Sequence, residues 1–279
     1  MSPLTVDPAG YARPARVTVG AVAFDPFTDL EAVTFVRDAL ARGNGGRLTV
    51  VDADLQRRAA ANPSLSEAIE EATLVLPEWM PAVWASRIAG LPLAQSFSGS
   101  SLVEALCVAC AADRRRIFVI GGAPGTAGVP SGAQRAAAVL GLRCPGLRVA
   151  GCVSPPAGLH ADPAAWSGVI ADVLEAKPDL VLLGGGTAVQ EKVFAALRPE
   201  LPGMWIFGCS GLVDLVSGSD SRRGRWRALR HAGYAVRLLA GAATTRVSGW
   251  LRARVSGVAR LTSGVASWLA SAQTRRRSP

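Results

Sequence analysis

The sequence predicts an α/β fold: a Rossmann-like, mostly parallel sheet flanked by helices, with a basic helical appendage at the C-terminus. Three observations carry this reading. Short apolar, β-branched runs alternate with helix-length amphipathic segments through most of the chain, which is the signature of βαβ units. With 279 residues, 49% of them hydrophobic, the chain can bury one large core without disulfides or a structural metal. The net charge of +9 is concentrated at one end, since residues 221–279 hold thirteen arginines and no acidic residue.

Taken in order, residues 1–16 are rich in Pro, Gly and Arg and read as a mobile arm. Residues 17–220 form the α/β domain, with strand candidates "RVTVGAVAF", "RLTVV", "TLVLP", "RIFVIGG", "LRVAGCV", "DLVLLGG" and "MWIFGC". Each is followed by room for a crossover helix. Parallel sheets of this kind bind ligands beyond the carboxyl ends of their strands, so the residues just after each run are the ones to inspect.

Past Asp214 the strand pattern stops, and residues 221–279 read as an Arg-rich helical tail. Its apolar positions fall mostly on one helical face, with Arg246, Trp250, Arg252, Arg254, Arg260 and Trp268 placed as in a helix lying in a lipid headgroup layer. An anionic membrane surface is the expected partner. A tail packed on its own domain fits the pattern equally, and a nucleic-acid partner is not expected because no nucleic-acid module surrounds the arginines. No run approaches the roughly 20 apolar residues that cross a bilayer. Five scattered cysteines and the lack of a long apolar run before Val17 favour a reducing cytoplasm, with peripheral association at the inner face of the cell membrane. Cys107 and Cys110 form a lone C-x-x-C inside a helical run and read as core packing, so neither a metal nor a cofactor is called for.

The loops carry the candidate chemistry. "VVDADLQRR" offers Asp52 and Asp54, although Asp52 equally suits an N-cap. "LVLPEWM" places Glu78 behind a strand and beside Trp79, where a partly dry carboxylate would suit a general base; a solvated Glu at a helix start is the alternative. "VIGGAPGTAG", with Gly122 and Pro124, could set backbone N–H groups and a helix N-terminus against phosphate, or turn there only for packing. "GCVSPPAG" presents Ser154 and Pro155 on a stiff loop or serves as a rigid connection. "LLGGGTAVQE" runs from Gly184 and Gly186 into a helix opening with Gln190 and Glu191. Together these loops point to a cleft for a phosphorylated small molecule.

In this order the segments resemble the WecG/TagA/CpsF family of bacterial glycosyltransferases, the N-acetylmannosaminyltransferase-like enzymes, from about Arg47 to about Trp226. Asp52 and Asp54 stand where the family has Thr-x-Asn, and Glu78 and Trp79 where it has Asp-Gly before an intact "VWASRIAG". Gly99, Ser100 and Ser101 stand for its Gly-Ser-Asp. "GGAPG", "SPPAG" and "KPDLVLLGGG" keep its glycine, proline and serine landmarks. Gln190 and Glu191 preserve the end of Pro-Lys-Gln-Glu, Asp214 closes "GCSGLVD", and Arg222 and Arg225 lie in "RRGRW". The resemblance implies transfer of an N-acetylmannosamine-like HexNAc from a UDP-sugar donor to a polyprenyl-diphosphate-linked acceptor in cell-surface polysaccharide biosynthesis, without a required metal. It implies Glu78 as the base and the other landmarks as substrate contacts. A non-catalytic scaffold binding a nucleotide sugar or lipid diphosphate is the competing expectation, and assembly into a homo-oligomer stays open.

Overall fold

The computed structural model describes residues 4–6, 12–155, 163–185, 187–208, 233–244 and 246. The chain opens with two antiparallel pairs: β1 (Leu4–Val6) with β2 (Ala12–Pro14), and β3 (Val17–Val19) with β4 (Val22–Phe24). The run "RVTVGAVAF" is therefore a hairpin and not a strand of the main sheet. Gly20, at φ +63, takes the first position of its two-residue turn, where a side chain would be strained. Arg16 fastens this hairpin. Its Nε donates to both carboxylate oxygens of Asp25 at 3.2 Å, and its other nitrogens donate to the Glu70 and Ala72 carbonyls. Asp25, only 1% exposed, also accepts the Val75 N–H at 2.7 Å. A buried charge met by a cation and an N–H in this way is compensated.

Helix α1 (Asp29–Ala41) begins at a capping box between Thr28 and Glu31 and leads to β5 (Gly46–Val51). Helices α2 (Ala53–Ala61) and α3 (Pro63–Glu70) precede β6 (Leu74–Pro77). Next come α4 (Met80–Ala89), α5 (Gly99–Ala112) and β7 (Arg116–Ile120), then α6 (Gly132–Arg143) and β8 (Arg148–Val153). Helix α7 (Pro163–Ala176), β9 (Leu180–Leu183), α8 (Thr187–Leu197) and β10 (Trp205–Gly208) complete the domain, and a further helical segment covers 233–244.

The six strands from β5 onward form one parallel sheet in the order β6-β5-β10-β9-β7-β8. Its interior strands are buried on both faces, as parallel strands covered by helices must be. One face, with Leu48, Leu76, Val119, Leu182 and Phe207, packs on α1, α5 and α6. On the other face Ile120, Val181 and Ile206 meet α7 and α8, while Val51 and Val75 meet α4 and the β3–β4 hairpin. Cys107 and Cys110 lie in the first of these cores, and burial pushes both thiols up, that of Cys110 to about 12. They are inert packing groups at neutral pH.

Candidate active site

All six strands point the same way, so the residues after them share one edge. Across the sheet this edge reads Glu78, Asp52, Gly208, Gly184, Gly121 and Ser154, one strand apart at each step.

Strand β7 continues to β8 on one side, and β9 continues to β10 on the other. The chain thus diverges between β7 and β9, the position at which sheets of this class open a crevice. Glycine makes the approach there possible: Gly121 sits at φ +128, and a Cβ on it would lie 3.0 Å from the Gly184 Cα. Gly184 N–H in turn donates to the Ile120 carbonyl at 2.7 Å. The Ser154 hydroxyl bolts the third loop on, donating to the Gly121 carbonyl at 2.6 Å and accepting from Ala133 N–H at 2.9 Å.

This bolt corrects one expectation. The N-terminus of α6 behind "GGAPG" is not an open phosphate site: Gly132 N–H donates to the Ala123 carbonyl, Ala133 N–H to Ser154, and Gln134 N–H to Ser131. Gly122 packs its backbone against Gly132, and Pro124 lies on the exposed loop beyond. Ser154 acts as a fastener between loops, with half-buried Pro155 following it.

At the other end of the edge, Glu78 leaves β6 with its N–H donating to the Val51 carbonyl, and its Oε1 accepts the Gly99 N–H at 3.2 Å. Ser98, the N-cap of α5, makes no side-chain cap bond and pairs instead with the Ser100 hydroxyl at 3.0 Å. Glu78 therefore serves the first N–H of a helix that begins 21 residues after it, and the helix N-terminus favours its negative charge. Glu78 is half-buried, and the neighbouring indole has partners of its own. Trp79 donates from Nε1 to Gln56 Oε1 at 2.7 Å and stacks on Tyr234 with ring centroids 5.8 Å apart.

Asp52 is the N-cap of α2, accepting Leu55 N–H at 2.8 Å, and Asp54 pairs with Arg57 at 2.6 Å. The negative charge these residues bring is thus partly met within the helix.

Gln190 and Glu191 part company. Gln190, 4% exposed, donates to the Gly185 carbonyl at 2.9 Å, and its Oε1 lies where a side chain on Gly208 would fall. It braces the glycine loop against β10 from inside instead of reaching out to a ligand hydroxyl. Glu191 is directed to a cleft of about 310 Å³ between α3 and α8, with Arg47, Glu67, Glu71 and Phe194. Its Oε1 is buried without a hydrogen-bond partner among the described residues. Arg47 donates to the Ala68 carbonyl and lies 5.5 Å from the Phe194 ring centroid; burial pulls its guanidinium below the ordinary arginine range, and Glu191 works against that pull. Glu191 is therefore not brought to the edge that carries Glu78.

Glu78 and the Gln190 amide are held two strands apart, about 10 Å at ordinary interstrand spacing, on one edge. Sequence reasoning missed Gln56, which is fully buried, donates to the Val19 carbonyl at 2.7 Å and orients Trp79. The signal was a polar residue among alanines on the inner face of α2. It missed Arg47 as well. Gly186, Asp214, Arg222, Arg225, Trp250, Arg252, Arg254, Arg260 and Trp268 lie outside the described residues; Arg246 donates to the Ile88 carbonyl at 3.2 Å. No helix among the described residues is long and apolar enough to cross a membrane, and no group of three or more metal-ligating side chains occurs among them.

A comparison with curated proteins finds no match. The family model described as "Glycosyl transferase WecG/TagA/CpsF family" matches residues 17–242, beginning at the hairpin, earlier than the Arg47 start of the sequence resemblance, and ending within the helical segment at 233–244. The match spans this whole architecture, from the hairpin through the six-stranded sheet with its acid and its close-packed glycines on one carboxyl edge, and the chain belongs to the WecG/TagA/CpsF family of glycosyltransferases.

Proposed function

We propose that the protein transfers a HexNAc of the N-acetylmannosamine type from a UDP-sugar to a polyprenyl-diphosphate-linked acceptor, in the assembly of a cell-surface polysaccharide. The observation that carries this reading is the placement of Glu78, a carboxylate held by the Gly99 N–H on the same carboxyl edge as the switch point between β7 and β9. Gly121 and Gly184 pack backbone to backbone between β7 and β9 and keep side chains off the stretch of the edge where the reading puts the diphosphate sugar. Glu78 then takes the proton from the acceptor hydroxyl as that oxygen attacks the anomeric carbon, and UDP departs with the bonding electron pair. Asp214, Arg222 and Arg225 belong to the same reading as substrate contacts, and the arginine- and tryptophan-bearing tail holds the enzyme at the inner face of an anionic membrane.

The test is transfer from UDP-HexNAc to a lipid-diphosphate sugar by the full chain. Glu78→Gln is expected to lower the rate roughly 10²–10⁴-fold, the usual worth of a general base, while UDP binding stays unchanged. A Glu78→Gln enzyme as fast as wild type would remove the base assignment. A specific observation favours the scaffold reading: Asp52, Asp54 and Gln190 are each engaged by groups of the protein itself. UDP-sugar binding without turnover by any donor would select it.

A further inference from the structure

Helix α4 buries Ala82, Val83, Ala85 and Ser86 and leaves Met80, Trp84 and Arg87 on its outer face, three or four residues apart. Trp84 is 48% exposed, and Leu91, just past the Gly90 C-cap, is 58% exposed. Single exposed apolar side chains need no explanation, but here three large ones share one helix face and the loop that ends it. The charge on this surface has one sign. Arg87 is the only charged residue from Trp79 to Val103, in a chain of which 18% is charged. Arg246 joins it, donating to the Ile88 carbonyl at 3.2 Å, and neither arginine forms an ion pair among the described residues. From Arg246 the chain passes into residues 247–279, which hold six more arginines and no acid.

We infer that this face of the folded domain docks on an anionic lipid headgroup layer, with Trp84 and Leu91 entering the acyl boundary and Arg87 and Arg246 meeting lipid phosphates. The inference rests on the membrane partner given above for the tail, and it assigns a second, separate contact to the domain itself. An indole grouped with a thioether and a leucine, and bordered only by cations, has the composition of an interfacial surface: the ring sits at headgroup depth and the guanidinium groups reach anionic lipid. Charge decides between occupants. A second copy of this chain, at net +9, brings further positive charge to a patch that has no carboxylate to receive it, whereas a phosphate layer offers the complementary sign. Position agrees with charge. Because Arg246 is bonded to the last turn of α4, the chain departs for residues 247–279 beside this face, so helix and tail can engage one surface together.

The probe is a vesicle of phosphatidylcholine and phosphatidylglycerol in equal amounts, and the readout is partition of the full chain by flotation. Trp84→Glu and Leu91→Glu, both at exposed positions, are each expected to weaken partition about tenfold, since each removes an inserted apolar group and adds a charge that the layer repels. Arg87→Gln should weaken it about fivefold at low salt, the worth of one cation near the surface. Leu142→Glu makes the same charge change on α6, where the side chain is 84% exposed, and should float as wild type does. If Trp84→Glu and Leu91→Glu, with wild-type melting curves, partition as wild type does, the proposal is wrong and the tail alone holds the membrane. It is equally wrong if Leu142→Glu weakens partition as much, which would make the effect one of net charge. Dissociation of a lipid-free oligomer by Trp84→Glu would overturn it too, by making a second copy the occupant. A wild type that binds no vesicle removes this inference and the membrane reading together. Flotation involves no sugar, so a chain that binds through α4 and transfers nothing leaves the inference standing and removes only the transferase reading.

Discussion

The two ends of the sheet's carboxyl edge are built by opposite means. At β9, β7 and β8 the edge is backbone, with Gly184 and Gly121 almost touching and Ser154 tying the loops together. At β5 and β6 it is carboxylate, with Asp52 and Glu78 each accepting an N–H at a helix start. The acids look alike but differ in reach: Asp52 serves its own helix three residues on, and Glu78 serves one that starts 21 residues later. Local capping positions the first. The second needs the tertiary fold to exist, so its position is a product of the architecture, and this is the acid to which we assign chemistry.

Substitutions that separate the two ends follow in order of expected size. Glu78→Ala should lose transfer as fully as the glutamine variant and, unlike glutamine, also leave the Gly99 N–H without an acceptor; its urea midpoint should fall by an amount worth about 1 kcal/mol. Gly121→Val tests the bare-backbone end. A β-branched residue at φ +128, facing Gly184 at 3.0 Å, should cost roughly 3 kcal/mol or more in denaturant unfolding. Gly208→Ala drives a methyl into the Gln190 side chain and should cost about 1–3 kcal/mol. Adding Gln190→Ala should return part of that loss, and strict additivity in the cycle would show that the two do not touch. Asp52→Ala should cost about 1 kcal/mol and Asp52→Asn much less, with no large change in transfer rate.

The smallest effect lies outside both ends. The hydrogen bond from Arg37 holds the Asp113 carboxyl below the usual carboxylate range. A depressed folded-state value means the pair's contribution is present above about pH 4 and is lost as pH falls through the folded value. Arg37→Gln should therefore flatten the acid limb of the stability curve slightly and leave neutral pH almost untouched, as expected for an exposed pair.

Much of this arrangement was legible in the chain. "RLTVV", "TLVLP" and "DLVLLGG" are strands of one parallel sheet, and the residues behind them share its edge. Glycine runs mark where backbone must approach backbone, and Asp52 behaves as its N-cap position suggests. What escaped was decided by contacts distant in sequence. Gly20 inside "RVTVGAVAF" turns an apparent strand into a hairpin, and the Asp25 carboxylate that anchors it meets Val75 across 50 residues. Adjacent letters, Gln190 and Glu191, read as one motif but leave the helix about 100° apart, one to Gly208 and the other to the Arg47 cleft. Trp79 stands next to Glu78, yet the partners that take it up, Gln56 and Tyr234, come from elements on either side of it in the chain.

Strand β10 occupies the middle of the sheet, between β5 and β9, although it is the last of the six in the chain. During synthesis the β6-β5 half and the β9-β7-β8 half have no shared border until Gly208 has left the ribosome. Until then each half exposes an unpaired apolar edge, and late insertion of one four-residue segment welds them. The sheet therefore cannot close as one unit before that last strand is in place, and its two halves become a single core in one late step.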